Sequence, residues 1–207
     1  TQFGLAIGVQ MLFWGITAPL FGMIADKYGS NRAAFVGFII YLIGSYIVLT
    51  QPASNSIFLI SMGVVIGTAL GATAVSVPVA AVGKYFSDKN RTIAVGIVTG
   101  SASIGFFLMP LFAKFSNDAH GWQNTVQYFI YFLIFAAICS LFLFKREYVD
   151  TTNNSFTRNQ TTFEALNEAF KHRGYMLLVA GFFVCGFQIT LIATHIPGYI
   201  QQKGLPD

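Results

Sequence analysis

The chain has 207 residues, 55% of them hydrophobic and only 10% charged, with a formal net charge of +4 and a mean hydropathy of +0.63. A soluble domain carries about 25% charged residues. Twelve Lys and Arg with eight Asp and Glu are too few to clothe a water-facing surface of this length, so the outside must face lipid.

The charges interrupt long uncharged runs, and each run can be measured against the roughly 20 apolar residues that cross a hydrocarbon core about 30 Å thick. Thr1 to Ala25 predicts a first span. Ala33 to Gly83 is twice too long for one crossing and is broken at Gln51 to Ser56 by a polar turn holding the helix-stopping Pro52, so it predicts a second and a third. Thr92 to Ala113, Ala119 to Phe144 and Gly174 to Gln202 predict three more, six in all. In lipid every backbone N–H and C=O must be paired within its segment or around a closed sheet. Barrel strands would read as short alternating segments, whereas these runs are continuous, so the fold class is an all-α membrane protein.

Lys145 to Arg173 is the one long loop, and it divides the chain into 1–144, a linker at 145–173, and 174–207. Within it Thr161 and Glu164 have capping-box spacing, followed by Phe163, Leu166 and Phe170 at helical spacing. This predicts a short amphipathic helix, either at the membrane surface or as a solvated linker. Ten basic residues (Lys27, Arg32, Lys84, Lys89, Arg91, Lys145, Arg146, Arg158, Lys171 and Arg173) fall on one side of the predicted topology and two, Lys114 and Lys203, on the other. The positive-inside rule makes the first side cytoplasmic. The basic balance therefore belongs to topology, and no nucleic-acid partner is expected.

Cys139 and Cys185 each lie within an apolar run, where a thiol packs as a small hydrophobe. Neither a disulfide framework nor metal-ligand spacing is present, and no metal or cofactor is expected. The opening run is too long for a cleavable signal, lacks a basic leader and starts at Thr1, so the chain is expected to be a fragment. Gly63, Gly67 and Gly71 repeat every four residues, as do Gly96 with Gly100 and Gly4 with Gly8. Such stripes let helix backbones approach closely, and three of them predict a tightly packed bundle.

The first cytoplasmic loop reads Gly22, Met23, Ile24, Ala25, Asp26, Lys27, Tyr28, Gly29, Ser30, Asn31, Arg32. Gly29 permits the turn, while Asp26 is an interfacial acid with Lys27 and Arg32 as candidate partners. The pattern resembles the signature between the second and third helices of the major facilitator superfamily, with Ser30 and Asn31 standing where basic residues are common. The second cytoplasmic loop, from Gly83 and Lys84 through Tyr85, Phe86 and Arg91 to Gly96, is similar to the loop between that family's fourth and fifth helices. Gly100 to Pro110 resembles the fifth helix of bacterial relatives of monocarboxylate transporters. Gly121 with Trp122, and Phe182 to Gln188 with Thr194 to Pro197, fit the sixth and seventh. The resemblance implies that the six spans are the second to seventh of a twelve-helix fold. It also implies that key charged residues for proton and substrate lie in the first and eighth helices, outside this chain.

Polar side chains at mid-membrane depth are costly and mark candidate solute contacts. Gln10 lies near mid-span with Trp14 one turn further on; Thr99, Ser101 and Ser103 occupy similar depth, as does Gln188. His195, beside Pro197, is ionisable and sits toward the outer interface. Gln10 and Gln188 are expected to face one aqueous cavity. Hydroxyls can bond their own helix's carbonyls, so Thr99 and Ser103 have a structural explanation as well. All eight acids lie in loops or at span ends, no buried Lys suits a retinal, and no phosphate loop occurs, which disfavours a membrane enzyme, receptor or ATP-driven pump. The expected function is secondary transport by alternating access of a small organic anion such as a monocarboxylate, with protons, across a bacterial inner membrane by a protein that is monomeric at full length. Export of drugs or metabolites is the alternative.

Overall fold

The computed structural model describes residues 2–51, 54–75, 77–79, 82, 88–143 and 162–202, and among these there is no strand. The elements are α1 (Gln2–Tyr28), α2 (Ser30–Thr50), α3 (Asn55–Phe58), a π-helical segment (Leu59–Val65), α4 (Ile66–Thr73), α5 (Asp88–Leu143), α6 (Thr162–Lys171) and α7 (Arg173–Gln202). They form two compact units, Thr1–Val149 and Asp150–Asp207.

Five helices are long and apolar enough to cross a membrane: Phe3–Tyr28, Ser30–Thr50, Asn55–Val79, Asn90–Phe142 and Arg173–Ile192. The fourth is two crossings in one. Gly121 breaks it with φ 80° and ψ 167°, a conformation that a residue without a Cβ adopts readily. Phe112 meets Phe132 edge to face at 5.7 Å between ring centroids, whereas twenty residues of straight helix would hold them about 30 Å apart. The Thr125 hydroxyl bonds the Ser116 hydroxyl at 3.0 Å across the same bend. Hence α5 is an antiparallel hairpin with arms 88–120 and 122–143, and the described residues hold six apolar crossings, as the charge pattern predicts.

Gly29 makes the other sharp turn. With φ 96° and ψ 141° it links α1 to α2 as a single residue, its N–H donating to the Ala25 carbonyl at 3.0 Å and its own carbonyl accepting from Ala33 at 3.3 Å. This backbone region is open almost only to glycine. Ser54 caps α3, its side chain accepting from the Ile57 N–H at 3.5 Å.

Packing in the first unit is built on small side chains. Ala6, Ala33, Ala69 and Ala72 are wholly buried, while Phe106, Phe107, Phe135 and Phe142 are each about 70% exposed. A soluble fold would bury the Phe residues first; in lipid close backbone approach holds helices together. A Cβ on Gly63 would stand 2.9 Å from Val9, one on Gly67 2.7 Å from the Gln10 carbonyl oxygen, and one on Gly71 would strike Thr17. So the π segment and α4 run parallel to α1, with their glycine stripe pressed on it. Gly37 against Ala72 and Gly44 against Ile66 set α2 antiparallel to α4. The predicted stripes at Gly4/Gly8 and Gly96/Gly100 behave differently: a Cβ at any of them meets nothing within 4 Å. One of the three predicted stripes is therefore a packing seam among the described residues.

Candidate solute cleft

The first unit encloses a cleft of about 630 Å³ bounded by α1, α2, the π segment, α4 and α5. Its polar groups are Gln10 from α1 and Tyr41 and Ser45 from α2, the latter two one helical turn apart and so on one face. Phe129, Phe132 and Phe135 of the second α5 arm supply aromatic walls, and Met62 enters from the π segment. Among the described residues no Asp, Glu, Lys, Arg or His lines it. It offers hydrogen bonds and aromatic surface without a fixed charge.

Gln10 is the buried amide of this cleft. It is only 8% exposed, yet among the described residues its amide has no hydrogen-bond partner. A buried polar group left unsatisfied costs roughly 1–3 kcal/mol, so this amide needs water or a solute in the cleft. Ser45, 9% exposed, is likewise unbonded through its hydroxyl among the described residues. Nearby hydroxyls that do not line the cleft are satisfied: Thr17 donates to the Phe13 carbonyl at 2.7 Å, and Ser61 of the π segment donates to the Gly44 carbonyl of α2 at 2.7 Å. The π turn, with its wider i to i+5 winding, places Ser61 toward α2 while adjacent Met62 lines the cleft.

Of the first-unit residues singled out in the sequence, Gln10 is the one that lines this cleft among the described residues. Trp14 is half-buried on α1 outside the lining. Thr99 and Ser103 are exposed on the first α5 arm and bond their own helix, Thr99 to the Val95 carbonyl at 3.0 Å and Ser103 to the Thr99 carbonyl at 3.4 Å. Ser101 does the same toward Val98 at 2.7 Å. Gln188 and His195 lie on α7 in the second unit, both with exposed side chains. Tyr41 and Ser45 are additions that the structure makes.

At the turn between α1 and α2, Ala25 and Ala33 form a small apolar cluster with Val77. Asp26 is exposed and engaged in an interaction; Lys27 places its Nζ 5.4 Å from the Tyr28 ring centroid; Arg32 is exposed, its backbone N–H donating to the Asn31 side chain at 2.8 Å. A Cβ on Gly22 would meet nothing within 4 Å, so packing among the described residues does not demand glycine there. In the second basic loop Arg91 is exposed at the start of α5, and Lys84 lies outside the described residues.

Comparison with known proteins agrees with this architecture. Human monocarboxylate transporter 14 is 34% identical over 128 residues, covering 59% of this chain and 24% of that protein. A probable nitrate transporter of Staphylococcus epidermidis is 30% identical over 142 residues, covering 69% of this chain and 35% of the relative. An uncharacterized transporter of Buchnera aphidicola subsp. Schizaphis graminum is 24% identical over 206 residues, 98% of this chain and 50% of the relative. The chain thus spans half or less of the length of these relatives. The family model for the Major Facilitator Superfamily matches residues 1–206, and the chain belongs to that superfamily.

Proposed function

We propose that the intact protein is a secondary active transporter that carries a small organic anion, a monocarboxylate, together with protons by alternating access, as a monomer in a bacterial inner membrane. The observation that supports this reading is the Gln10 amide, 8% exposed and without a hydrogen-bond partner among the described residues, at the wall of a cleft large enough for a small organic molecule. Similarity to a monocarboxylate transporter supports the substrate class. The aromatic wall favours an organic body over a bare inorganic oxyanion, which sets this reading against the nitrate transport named for the staphylococcal relative. Facilitator-type folds bind solute near the midplane and rock two halves around it. On this reading Gln188 and His195 also face solute or proton in the intact protein, with Trp14, Thr99 and Ser103 as secondary contacts.

The test uses the full-length protein in proteoliposomes. Uptake of short-chain monocarboxylates should rise when a proton gradient is imposed inward and fall when it is collapsed. Gln10→Leu, which keeps the volume and removes both hydrogen-bonding ends, should lower kcat/KM by roughly five- to tenfold, the loss of one hydrogen bond. Absence of monocarboxylate flux under any gradient, with nitrate or a larger metabolite carried instead, would overturn the substrate assignment.

A further inference from the structure

We propose that α6 is a membrane-docking helix: it lays its apolar face into the interfacial layer of the bilayer beside the entry of α7, steadied by anionic lipid headgroups at Lys171 and Arg173. The connection between the two helices is the first argument. Only His172 separates them, and it is built as a corner. Its N–H donates to the Ala169 carbonyl at 3.1 Å, closing α6. Its carbonyl accepts from Met176 at 3.1 Å and its ring Nδ1 accepts from the Tyr175 N–H at 3.4 Å, opening α7. Phe170 and Tyr175 meet edge to face with centroids 6.4 Å apart. In one continuous helix residues five apart stand about 140° apart around the axis, so this contact belongs to a bend.

Because α7 is a membrane span, a helix joined to it through one residue starts at the bilayer surface. Ten residues make a rod about 15 Å long that reaches along the surface. Positions 163, 166 and 170 fall on one side of α6 and 164 and 168 on the other, with 171 on the flank, closer to the apolar side than either acid. Phe170 is 59% exposed despite its contact with Tyr175, and an apolar face at this depth finds its cover in the acyl boundary. Lys171, His172 and Arg173 are all exposed at the corner. Basic side chains next to a span attract anionic headgroups. Positions 164 and 168, both Glu, share the side turned away from the apolar positions.

The experiment uses the full-length protein with its native cysteines replaced, reconstituted in vesicles of phosphatidylglycerol and phosphatidylcholine. Single cysteines at 163, 164, 166, 168 and 170 are spin-labelled, and collision with oxygen is compared with collision with a water-soluble nickel chelate. Oxygen should prevail at 163, 166 and 170, and the chelate at 164 and 168. Chelate access at all five positions would mean a solvated linker, and exclusion of both reagents from the apolar side would mean a protein partner; either result overturns the proposal. In pure phosphatidylcholine the labels at 166 and 170 should become shallower, and Lys171→Gln should reproduce that shift in phosphatidylglycerol. Depth that responds to neither lipid charge nor Lys171→Gln would refute the headgroup contact.

Discussion

Gln10 shows how a single amide can be read in sequence, and Tyr41 and Ser45 show why others cannot. A Gln inside an uncharged run has no easy partner on its own helix, so its position alone marks it. Tyr and Ser carry no such signal: a Ser bonds its own backbone readily, as Ser101 and Ser103 do here. Only the packing of α2 against α1 and α5 shows that Tyr41 and Ser45 share the cleft with Gln10. If these groups contact solute, removing them should weaken transport without unfolding the bundle. Tyr41→Phe and Ser45→Ala should each lower kcat/KM for the transported solute by roughly two- to tenfold, one net hydrogen bond apiece. Thermal unfolding in detergent should stay close to that of the parent. Unaltered kinetics in both variants would assign the two hydroxyls to water and restrict the polar contact to Gln10.

Helix packing was legible in part. Glycines four apart are a visible pattern, and the stripe at Gly63, Gly67 and Gly71 is the seam against α1. The same spacing at Gly96 and Gly100 meets no neighbour, because spacing records only that a face is smooth. Gly37 and Gly44 form the second seam, against Ala72 and Ile66, and carry no four-residue signal because they lie two turns apart instead of one. The π segment was not legible either, since its winding follows from contacts with two neighbours and Leu59 to Val65 has ordinary helix-forming composition. Gly67→Ala inserts a methyl group 2.7 Å from the Gln10 carbonyl oxygen, and overpacking of this kind costs about 1–3 kcal/mol. It should lower the unfolding midpoint of the purified protein, whereas Gly96→Ala should leave it unchanged or slightly raised by the better helix propensity of alanine. Equal midpoints for the two variants would contradict the α1–α4 seam.

At the scale of the whole molecule, distribution of charge made the crossings countable, and the turn between the fourth and fifth is the instructive case. Lys114 and Asp118 mark the approach to it, yet the helix runs on to His120 and reverses only where Gly121 supplies a positive φ. The Gly22 to Arg32 loop was legible as a pattern, and its use is the least local property of the chain. Among the described residues Gly22 has open space around it, and Asp26 is exposed and engaged in an interaction. From the motif the two residues share we infer that both serve a conformational contact in the intact protein. Asp26→Asn at full length should reduce transport several-fold while expression and unfolding midpoint hold; a parallel loss of stability would make Asp26 a structural residue instead.

Orientation is the remaining whole-molecule property, and it rests on ten basic residues against two. Each Lys or Arg near a span end resists translocation, and the bias is read over short loops such as these. The fourth and fifth crossings meet at the Gly121 hairpin, with Asp118 exposed beside it. That hairpin lies on the side bearing Lys114, so it should face outward. Position 155, in the linker between Lys145 and Arg173, should face inward. In a full-length protein stripped of its native cysteines, Asp118→Cys should react with a membrane-impermeant maleimide added to intact cells. Ser155→Cys should react only after the membrane is opened. The reversed pattern would invert every crossing at once, and labelling of both positions from outside would mean that the number of crossings between them is even instead of odd. Because the second α5 arm is the one crossing that separates them, the paired result tests the hairpin at Gly121 as directly as it tests the sidedness of the charges.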